Sequence, residues 1–304
     1  MTRVIIYVFL LMTVVMVPCR GFGAETLRLR YLTALTADNK EVPGQLRAPS
    51  GVACDNKATV IVADSGNNRL VRYSFQDYQV KGGDEIKLRE LAYPIHVEIN
   101  SKGDIYALDG KLRRIVQLNA EGKFVKVLEL QGVPAPATTV LRSFAIDEGD
   151  AVYLLDIFGE RVIVTDAAGT FVKQLPFPKP YGVISDLAVS PAGDVYLLDS
   201  TNGAIFVARK ANPTFAPLVK NLKEYLNLST NITTDYRGFI YLTDQNGGAV
   251  VAFGQDGAFF GRQLNLGWKS GQLYYPTQMC VTKSGTVMIA DRNNNKVQIY
   301  EITK

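Results

Sequence analysis

A short apolar segment that ends in aspartate recurs six times along this chain. Its copies occupy residues 60–64, 105–109, 152–156, 195–199, 240–244 and 287–291, and successive aspartates lie 45, 47, 43, 45 and 47 residues apart. The apolar positions are consecutive rather than alternating, which predicts strands that are covered on both faces. Internal repetition at this period indicates an architecture built from stacked, equivalent units.

Each repeat contains three further strand-like segments around the apolar one. A shorter strand and a glycine turn, such as 101–104 or 191–194, precede it, and a turn rich in Asn and Gly and two more strands follow it. Each repeat therefore predicts a four-stranded antiparallel meander. Radial stacking of such sheets covers both faces of every inner strand, and nothing in the repeat shows the period of a helical solenoid. We predict an all-β fold, a six-bladed β-propeller of four-stranded antiparallel blades.

The two ends of the repeat region complement each other. The sixth repeat ends directly after its third strand, and residues 27–35, before the first repeat, alternate between apolar and polar positions. An incomplete last blade would expose a strand edge. We therefore predict that the N-terminal strand closes the ring as the fourth strand of the last blade.

The first 23 residues have the pattern of a secretory signal peptide. Arg3 precedes an apolar run over residues 4–17, and residues 21–23 offer small side chains for cleavage. The run is shorter than the roughly 20 residues that cross a bilayer. We predict a signal peptide at 1–23, a single propeller domain at 24–304, and a periplasmic or extracellular location with no transmembrane segment in the mature chain. A lipid anchor at Cys19 is the less favoured alternative.

Charge argues against a nucleic-acid partner. The formal net charge of +4 falls by two when residues 1–23 are removed, because that segment holds Arg3 and Arg20 and no acidic residue. No cluster of basic residues interleaved with aromatic ones remains to neutralise phosphates. We therefore exclude nucleic acid as a partner, and we expect a monomer.

Two cysteines, Cys54 and Cys280, remain after cleavage. They fall in the first and last repeats, on opposite faces of equivalent strands, which would allow a disulfide across the ring closure in an oxidising compartment. Two free, buried thiols are the simpler interpretation, and we expect them.

Several turns resemble those of the NHL repeat family. The tripeptide Gly-Gln-Leu followed by proline stands at 44–49 and again at 271–276, and turns with aspartate, asparagine and a basic residue stand at 64–70 and 291–297. The resemblance spans about residues 26–304 and is strongest in the first and sixth repeats. It implies a six-bladed propeller.

The repetition of the six aspartates points to structure rather than chemistry. An aspartate carboxylate accepts hydrogen bonds from backbone N–H groups of the turn that follows it and fixes that turn. We assign this structural role to Asp64, Asp109, Asp156, Asp199, Asp244 and Asp291.

The mouth of the central channel, where the innermost strands begin, is the predicted binding region. Alignment of these strands places one equivalent residue per blade there: Gly51, His96, Ser143, Asp186, Asn231 and Gln278. Four polar residues come one position earlier: Arg142, Ser185, Thr230 and Thr277. A ring of different polar groups suits one asymmetric ligand. A water-filled funnel without a specific ligand is the alternative.

Enzymatic alternatives start from the same ring. Some six-bladed relatives resemble lactonases that hold a divalent cation through carboxylate and amide oxygens, which would implicate Asp186 and Asn231 as ligands of Ca²⁺. No second carboxylate aligns with them. His96 is the only histidine, too few for a zinc centre of three histidines or of two histidines and a carboxylate. A Ser/His/Asp triad would need side chains of three separate blades to converge. We therefore expect no catalysis and no cofactor.

A loop before the last repeat carries candidate partner contacts. Trp268 is the only tryptophan, and Tyr274 and Tyr275 follow it closely. Aromatic side chains on a loop are typical anchors of protein contacts. The longest connection, 212–227, leaves room for a short helix around 219–226. We predict an exported, non-catalytic scaffold that binds a protein or extracellular ligand through one propeller face, with a metal-dependent hydrolase or lactonase as the alternative.

Overall fold

The chain folds into six four-stranded antiparallel sheets, each of which is one propeller blade. The computed structural model describes residues 26–36 and 45–303. Within every blade the strand order runs outward from the channel. The predicted six-bladed β-propeller is confirmed. The predicted signal peptide and Cys19 lie outside the described residues.

The first three blades follow one another along the chain. Blade 1 consists of β2 (Gly51–Cys54), β3 (Thr59–Asp64), β4 (Arg69–Gln76) and β5 (Gln79–Ile86). Blade 2 consists of β6 (Pro94–Ile99), β7 (Ile105–Asp109), β8 (Arg114–Leu118) and β9 (Phe124–Val127). Blade 3 consists of β10 (Leu141–Ile146), β11 (Val152–Asp156), β12 (Arg161–Thr165) and β13 (Phe171–Pro176).

The remaining blades complete the ring. Blade 4 consists of β14 (Ile184–Val189), β15 (Val195–Asp199), β16 (Ala204–Arg209) and β17 (Asn212–Val219). Blade 5 consists of β18 (Ser229–Thr234), β19 (Ile240–Asp244), β20 (Ala249–Phe253) and β21 (Phe259–Gln263). Blade 6 consists of β22 (Pro276–Val281), β23 (Thr286–Asp291), β24 (Lys296–Ile302) and β1 (Leu29–Leu35). Short 3₁₀ turns span Ser65–Asn67, Pro136–Thr138, Leu222–Glu224 and Arg292–Asn294.

The hydrophobic core is divided among the blade interfaces. Six apolar clusters form, one between each pair of neighbouring blades. In one of them, Tyr106 and Leu108 of blade 2 pack with Leu154 and Ile163 of blade 3. The second strands β7, β11, β15 and β19 are buried at every position. Their consecutive apolar residues are thus explained, because each face meets a different neighbour.

The N-terminal strand closes the ring as predicted. Strand β1 pairs antiparallel with β24, so that blade 6 contains both ends of the repeat region. The rings of Tyr31 and Tyr300 meet edge to face, with centroids 5.8 Å apart. This pairing covers the edge that β24 would otherwise expose.

The expectation of two free thiols is wrong. Cys54 on β2 and Cys280 on β22 form a disulfide, with their Cα atoms 6.0 Å apart. Closure of the ring makes the first and last inner strands neighbours, and this Cα separation lies in the range that a disulfide requires. The bond is consistent with an extracellular location. Among the described residues, no helix is long and apolar enough to cross a membrane.

The interpretation of residues 212–227 as a long connection is also wrong. Their first half is β17, the outer strand of blade 4. The expected helix is reduced to the single 3₁₀ turn Leu222–Glu224. Pro213 and Pro217 concealed the strand, because proline is tolerated at a sheet edge but not in its interior.

Candidate functional site

The channel opens into a funnel on the face where the inner strands begin and the second strands end. Sheet register places the ring residues at one level: His96 pairs with Leu108 and Asp186 with Leu198, and each partner directly precedes the repeat aspartate of its blade. The funnel holds a cavity of about 390 Å³. Six of the residues predicted at the channel mouth line it, His96, Arg142, Ser143, Asp186, Asn231 and Gln278, whereas Gly51 does not. Ser185, Thr230 and Thr277 line it as well.

Asp186 is the centre of one hydrogen-bond network in the funnel floor. Its side chain is buried, and Oδ1 accepts a hydrogen bond from the Ser143 hydroxyl at 2.5 Å. Oδ2 accepts from the Asn231 amide and from the Ile232 backbone N–H, both at 2.9 Å. The Asn231 carbonyl oxygen accepts the Met279 N–H at 3.2 Å. The network therefore joins blades 3, 4, 5 and 6.

Gln278 is the centre of a second network on the other side of the floor. Its Oε1 accepts the N–H groups of Val52 and Val97 at 3.2 and 3.1 Å, and its Nε2 donates to the Val97 carbonyl at 2.8 Å. The same Nε2 lies 3.1 Å from both His96 Nε2 and Glu98 Oε1. One amide thus joins blades 6, 1 and 2. The inner strands have a free edge toward the channel, and the two networks satisfy N–H groups of that edge.

Gly51 makes the second network sterically feasible. A Cβ atom at this position would stand 2.8 Å from Gln278 Oε1 and 3.2 Å from the Cα atom of His96. Real Cβ atoms essentially never come as close as the first of these distances, and the second is tighter than most real contacts. Gly51, the one residue of the aligned ring without a polar side chain, therefore leaves the space that Gln278 needs to reach blades 1 and 2.

The floor divides the channel. His96, Asn231 and Gln278 line both the funnel and a smaller cavity of about 160 Å³ toward the opposite face. The smaller cavity also borders Cys54 and Cys280. A ligand in the funnel would therefore rest on the polar ring.

The floor does not have the geometry of a catalytic triad. The Ser143 hydroxyl donates to Asp186, whereas His96 Nε2 faces Glu98 and Gln278. A triad needs the histidine between the nucleophile and the carboxylate. Here the Asp186 carboxylate contacts the Ser143 hydroxyl directly, so the hydroxyl–histidine–carboxylate order of a triad is not formed.

Asp186 and Asn231 do not fit a calcium site either. Both Asp186 oxygens and the Asn231 carbonyl oxygen already face hydrogen-bond donors. Calcium binds six to eight oxygen ligands that carry lone pairs free for the cation. Within residues 26–36 and 45–303, no three His, Cys, Asp or Glu side chains cluster as metal ligands. We derive no step through a metal.

Burial and charge shift the two titratable groups of the floor. Burial lowers the pKa of His96, but the hydrogen bond to Glu98 and the charges of Glu98 and Asp186 outweigh it, so this pKa lies above its ordinary value. Burial raises the pKa of Asp186, and the charge of His96 and the bond from Ser143 offset part of that rise. Two carboxyl groups from different blades thus favour the charged form of His96.

We expect the stability of the protein to fall as pH rises above 6.5. A histidine whose folded pKa is raised stabilises the fold fully below its unfolded pKa, and this contribution is lost as pH rises through the folded pKa. His96→Gln should flatten this dependence between pH 6.5 and 8 in denaturant titrations. The single imidazole also makes its NMR titration unambiguous. Glu98→Gln should lower the measured His96 pKa, and an unchanged value in that variant would contradict the assigned cause.

Three arginines stand at the funnel above the floor. Arg142 was predicted, whereas sequence reasoning missed Arg113 and Arg292. In the part of the chain that the structure describes, none of the three takes part in an ion pair. Arg292 directly follows the repeat aspartate Asp291. That position was a usable signal, because the residue after the aspartate stands where the second strand ends at the funnel. Tyr93 and Gln245 also line the funnel and were not predicted from the sequence.

The six repeat aspartates lie beside the funnel and do not line it. All are completely buried. Asp199 accepts the N–H of Gly182 at 2.7 Å and that of Thr201 at 3.1 Å. Asp64 likewise accepts the N–H of Arg47 at 2.7 Å. Each carboxylate thereby ties the segment that enters the inner strand to the turn after the second strand, and so positions the rim.

The aromatic candidates separate in space. Trp268 is 78% exposed and Tyr274 is 46% exposed, whereas Tyr275 turns into the funnel. The loop is held by a hydrogen bond from the Gly267 N–H to the Leu273 carbonyl at 3.0 Å. Trp268 is therefore presented on an ordered loop outside the funnel.

Solved structures of similar shape support the architecture. A virginiamycin B lyase from Staphylococcus aureus has a TM-score of 0.62 at 12% identity, covering 91% of this chain and 100% of the lyase. A gluconolactonase from Xanthomonas campestris has a TM-score of 0.64 at 14% identity, covering 92% of each chain. A protein of unknown function from Bacteroides thetaiotaomicron has a TM-score of 0.69 at 12% identity, covering 91% of this chain and 76% of that one. At such identities the likeness shows the fold alone.

Sequence comparison gives the family of the repeat. The family model of the NHL repeat matches residues 273–300, which run from the start of blade 6 through most of β24. A search of curated proteins finds no match. The match falls in one of the two repeats that carry the resemblance most clearly, and it confirms that resemblance. The chain is therefore a six-bladed β-propeller that carries an NHL repeat.

Proposed function

We propose that this chain is an exported, non-catalytic binding propeller that acts as a monomer and holds its ligand in the central funnel. The observation that carries the proposal is the contrast between floor and rim. The floor groups are bonded to one another and to neighbouring blades, whereas the rim presents arginines that form no ion pair with any residue that the structure describes. A concave site with a rigid floor and free polar groups above it suits recognition of a ligand.

The floor contacts argue against the hydrolase alternative. The lyase and the gluconolactonase share the fold, and their activities make an enzyme the natural competing hypothesis. In this chain, however, both oxygens of Asp186 already accept hydrogen bonds, and His96 Nε2 faces Glu98 and Gln278 rather than Ser143. Removal of the Asp186 or the Ser143 side chain would break hydrogen bonds between blades, which gives these side chains a structural role that needs no catalysis.

A filled funnel should abolish ligand capture. Mature protein is incubated with an envelope extract of its source organism, washed and denatured, and released compounds are identified by mass spectrometry. Thr230→Trp places a large side chain in the cavity and should lose the compound that the native chain retains. Trp268→Ala changes an exposed aromatic outside the funnel and should retain it. Circular dichroism and thermal melts establish that both variants are folded.

Two results would overturn the proposal. Retention of the same compound by Thr230→Trp, with loss in Trp268→Ala, would move the binding site to the outer loop. Hydrolysis of simple lactones by the native chain, abolished in Asp186→Asn but not in Trp268→Ala, would replace the proposal with the hydrolase alternative.

A further inference from the structure

We infer that the ligand of the funnel is a small anion with at least two negatively charged groups, gripped by arginines from opposite walls. This inference rests on the proposed function and specifies the chemistry of the same site. The inference is carried by Arg113, Arg142 and Arg292, which all line the funnel cavity.

Blade order sets where the three guanidinium groups enter the funnel. Arg142 belongs to β10 of blade 3 and Arg292 follows β23 of blade 6. In a ring of six, blades 3 and 6 face each other across the channel. Arg113, from the turn after β7 of blade 2, donates from Nη1 to the Leu141 carbonyl at 3.4 Å, beside Arg142. One wall thus carries two positive charges, and the opposite wall carries one.

Among the described residues that line the funnel, no rim carboxylate balances these charges. The one acidic residue in the funnel lining is Asp186, which is buried in the floor and bonded to Ser143 and Asn231. Like charges that face a low-dielectric cleft reinforce one another and raise the local concentration of counter-ions. An anionic ligand would relieve this repulsion.

The uncharged lining groups have fewer free donors to offer. Gln245 donates to the Thr230 hydroxyl at 2.6 Å, and the Thr277 hydroxyl donates to the Ala290 carbonyl at 3.2 Å. The arginines therefore dominate what the funnel can offer a ligand. A guanidinium group presents paired N–H donors in a plane that matches the two oxygens of a carboxylate or the oxygens of a phosphate.

The size of the funnel points to a small molecule. Its volume of about 390 Å³ lies within the range of roughly 300–1,000 Å³ of sites for small ligands. Groups at both ends of such a molecule can reach opposite walls. Carboxylates and phosphates share this chemistry, and separate probes distinguish them.

The test is isothermal titration calorimetry with citrate, with pyrophosphate as the phosphate probe and with glycerol as the uncharged probe, at low and at physiological salt. We expect citrate or pyrophosphate to bind and glycerol not to bind. Arg142→Ala and Arg292→Ala should each weaken binding about tenfold, which is the loss of one charged hydrogen-bonded contact. Arg28→Ala removes the same charge outside the funnel, beside a different cavity, and should bind as the native chain does.

Each outcome decides between the ideas. Binding of citrate alone identifies a carboxylate ligand, and binding of pyrophosphate alone identifies a phosphate ligand. Absence of binding by every anion, or equal weakening by Arg28→Ala and Arg142→Ala, overturns the inference. If Thr230→Trp still abolishes capture of an uncharged compound from the envelope extract, the binding propeller stands and only its anionic ligand is rejected.

Discussion

Loss of the disulfide between Cys54 and Cys280 should lower the free energy of unfolding by about 5 kcal/mol in the chain-entropy description. The two residues are 226 positions apart in sequence. The bond therefore restricts almost the whole unfolded chain, while in the folded state it joins strands that already touch. A loss of this size corresponds to a fall in melting temperature of roughly 10 °C or more for a domain of this size.

Differential scanning calorimetry of the native chain and of a variant without the two cysteines tests the predicted loss of stability. Melting of the native chain is recorded with and without dithiothreitol, and that of Cys54→Ser/Cys280→Ser under the same conditions. We expect the reductant to shift the native transition to that of the double variant and to leave the variant unchanged. Equal melting temperatures in all four samples would mean that pairing of β1 with β24 alone sets the stability of the closure.

Asp156→Ala should strongly lower the free energy of unfolding of the protein. The carboxylate is fully buried and accepts Arg161 Nε at 2.9 Å, as well as the N–H groups of Val140 and Gly159. Its removal leaves an almost buried guanidinium group without its counter-charge. Breaking a buried pair in this way costs about 3–5 kcal/mol.

The adjacent residue supplies a matched control. Glu160 pairs with Lys179 at 3.2 Å, but both side chains are exposed. Exposed pairs contribute little to stability, so Glu160→Ala should unfold at nearly the same urea concentration as the native chain. Asp156→Asn keeps an acceptor for the turn and should fall between the two. Equal unfolding midpoints for Asp156→Ala and Glu160→Ala would refute a structural role for this aspartate.

The fold could be predicted from local patterns because a propeller repeats them. Consecutive apolar residues at 105–109 or 195–199 need cover on both faces, and stacked blades provide that cover. The repeat period gave the number of blades, and the missing strand of blade 6 identified β1 as its partner. Prolines in β17 hid an edge strand, because their effect depends on which side of the strand is paired.

The sequence by itself determined the blade count, the ring closure and the level at which His96, Asp186 and Gln278 face the channel, because these depend on periodic strand patterns. Only the tertiary structure decided what those side chains do. Contacts between blades depend on which strands lie side by side in three dimensions. Alignment of the repeats therefore could not show that Asp186 and Gln278 accept hydrogen bonds from backbone N–H groups of other blades. The same holds for Cys54 and Cys280, which meet because the ring closes. Arg292 likewise faces Arg142 across the funnel only because blade 6 stands opposite blade 3.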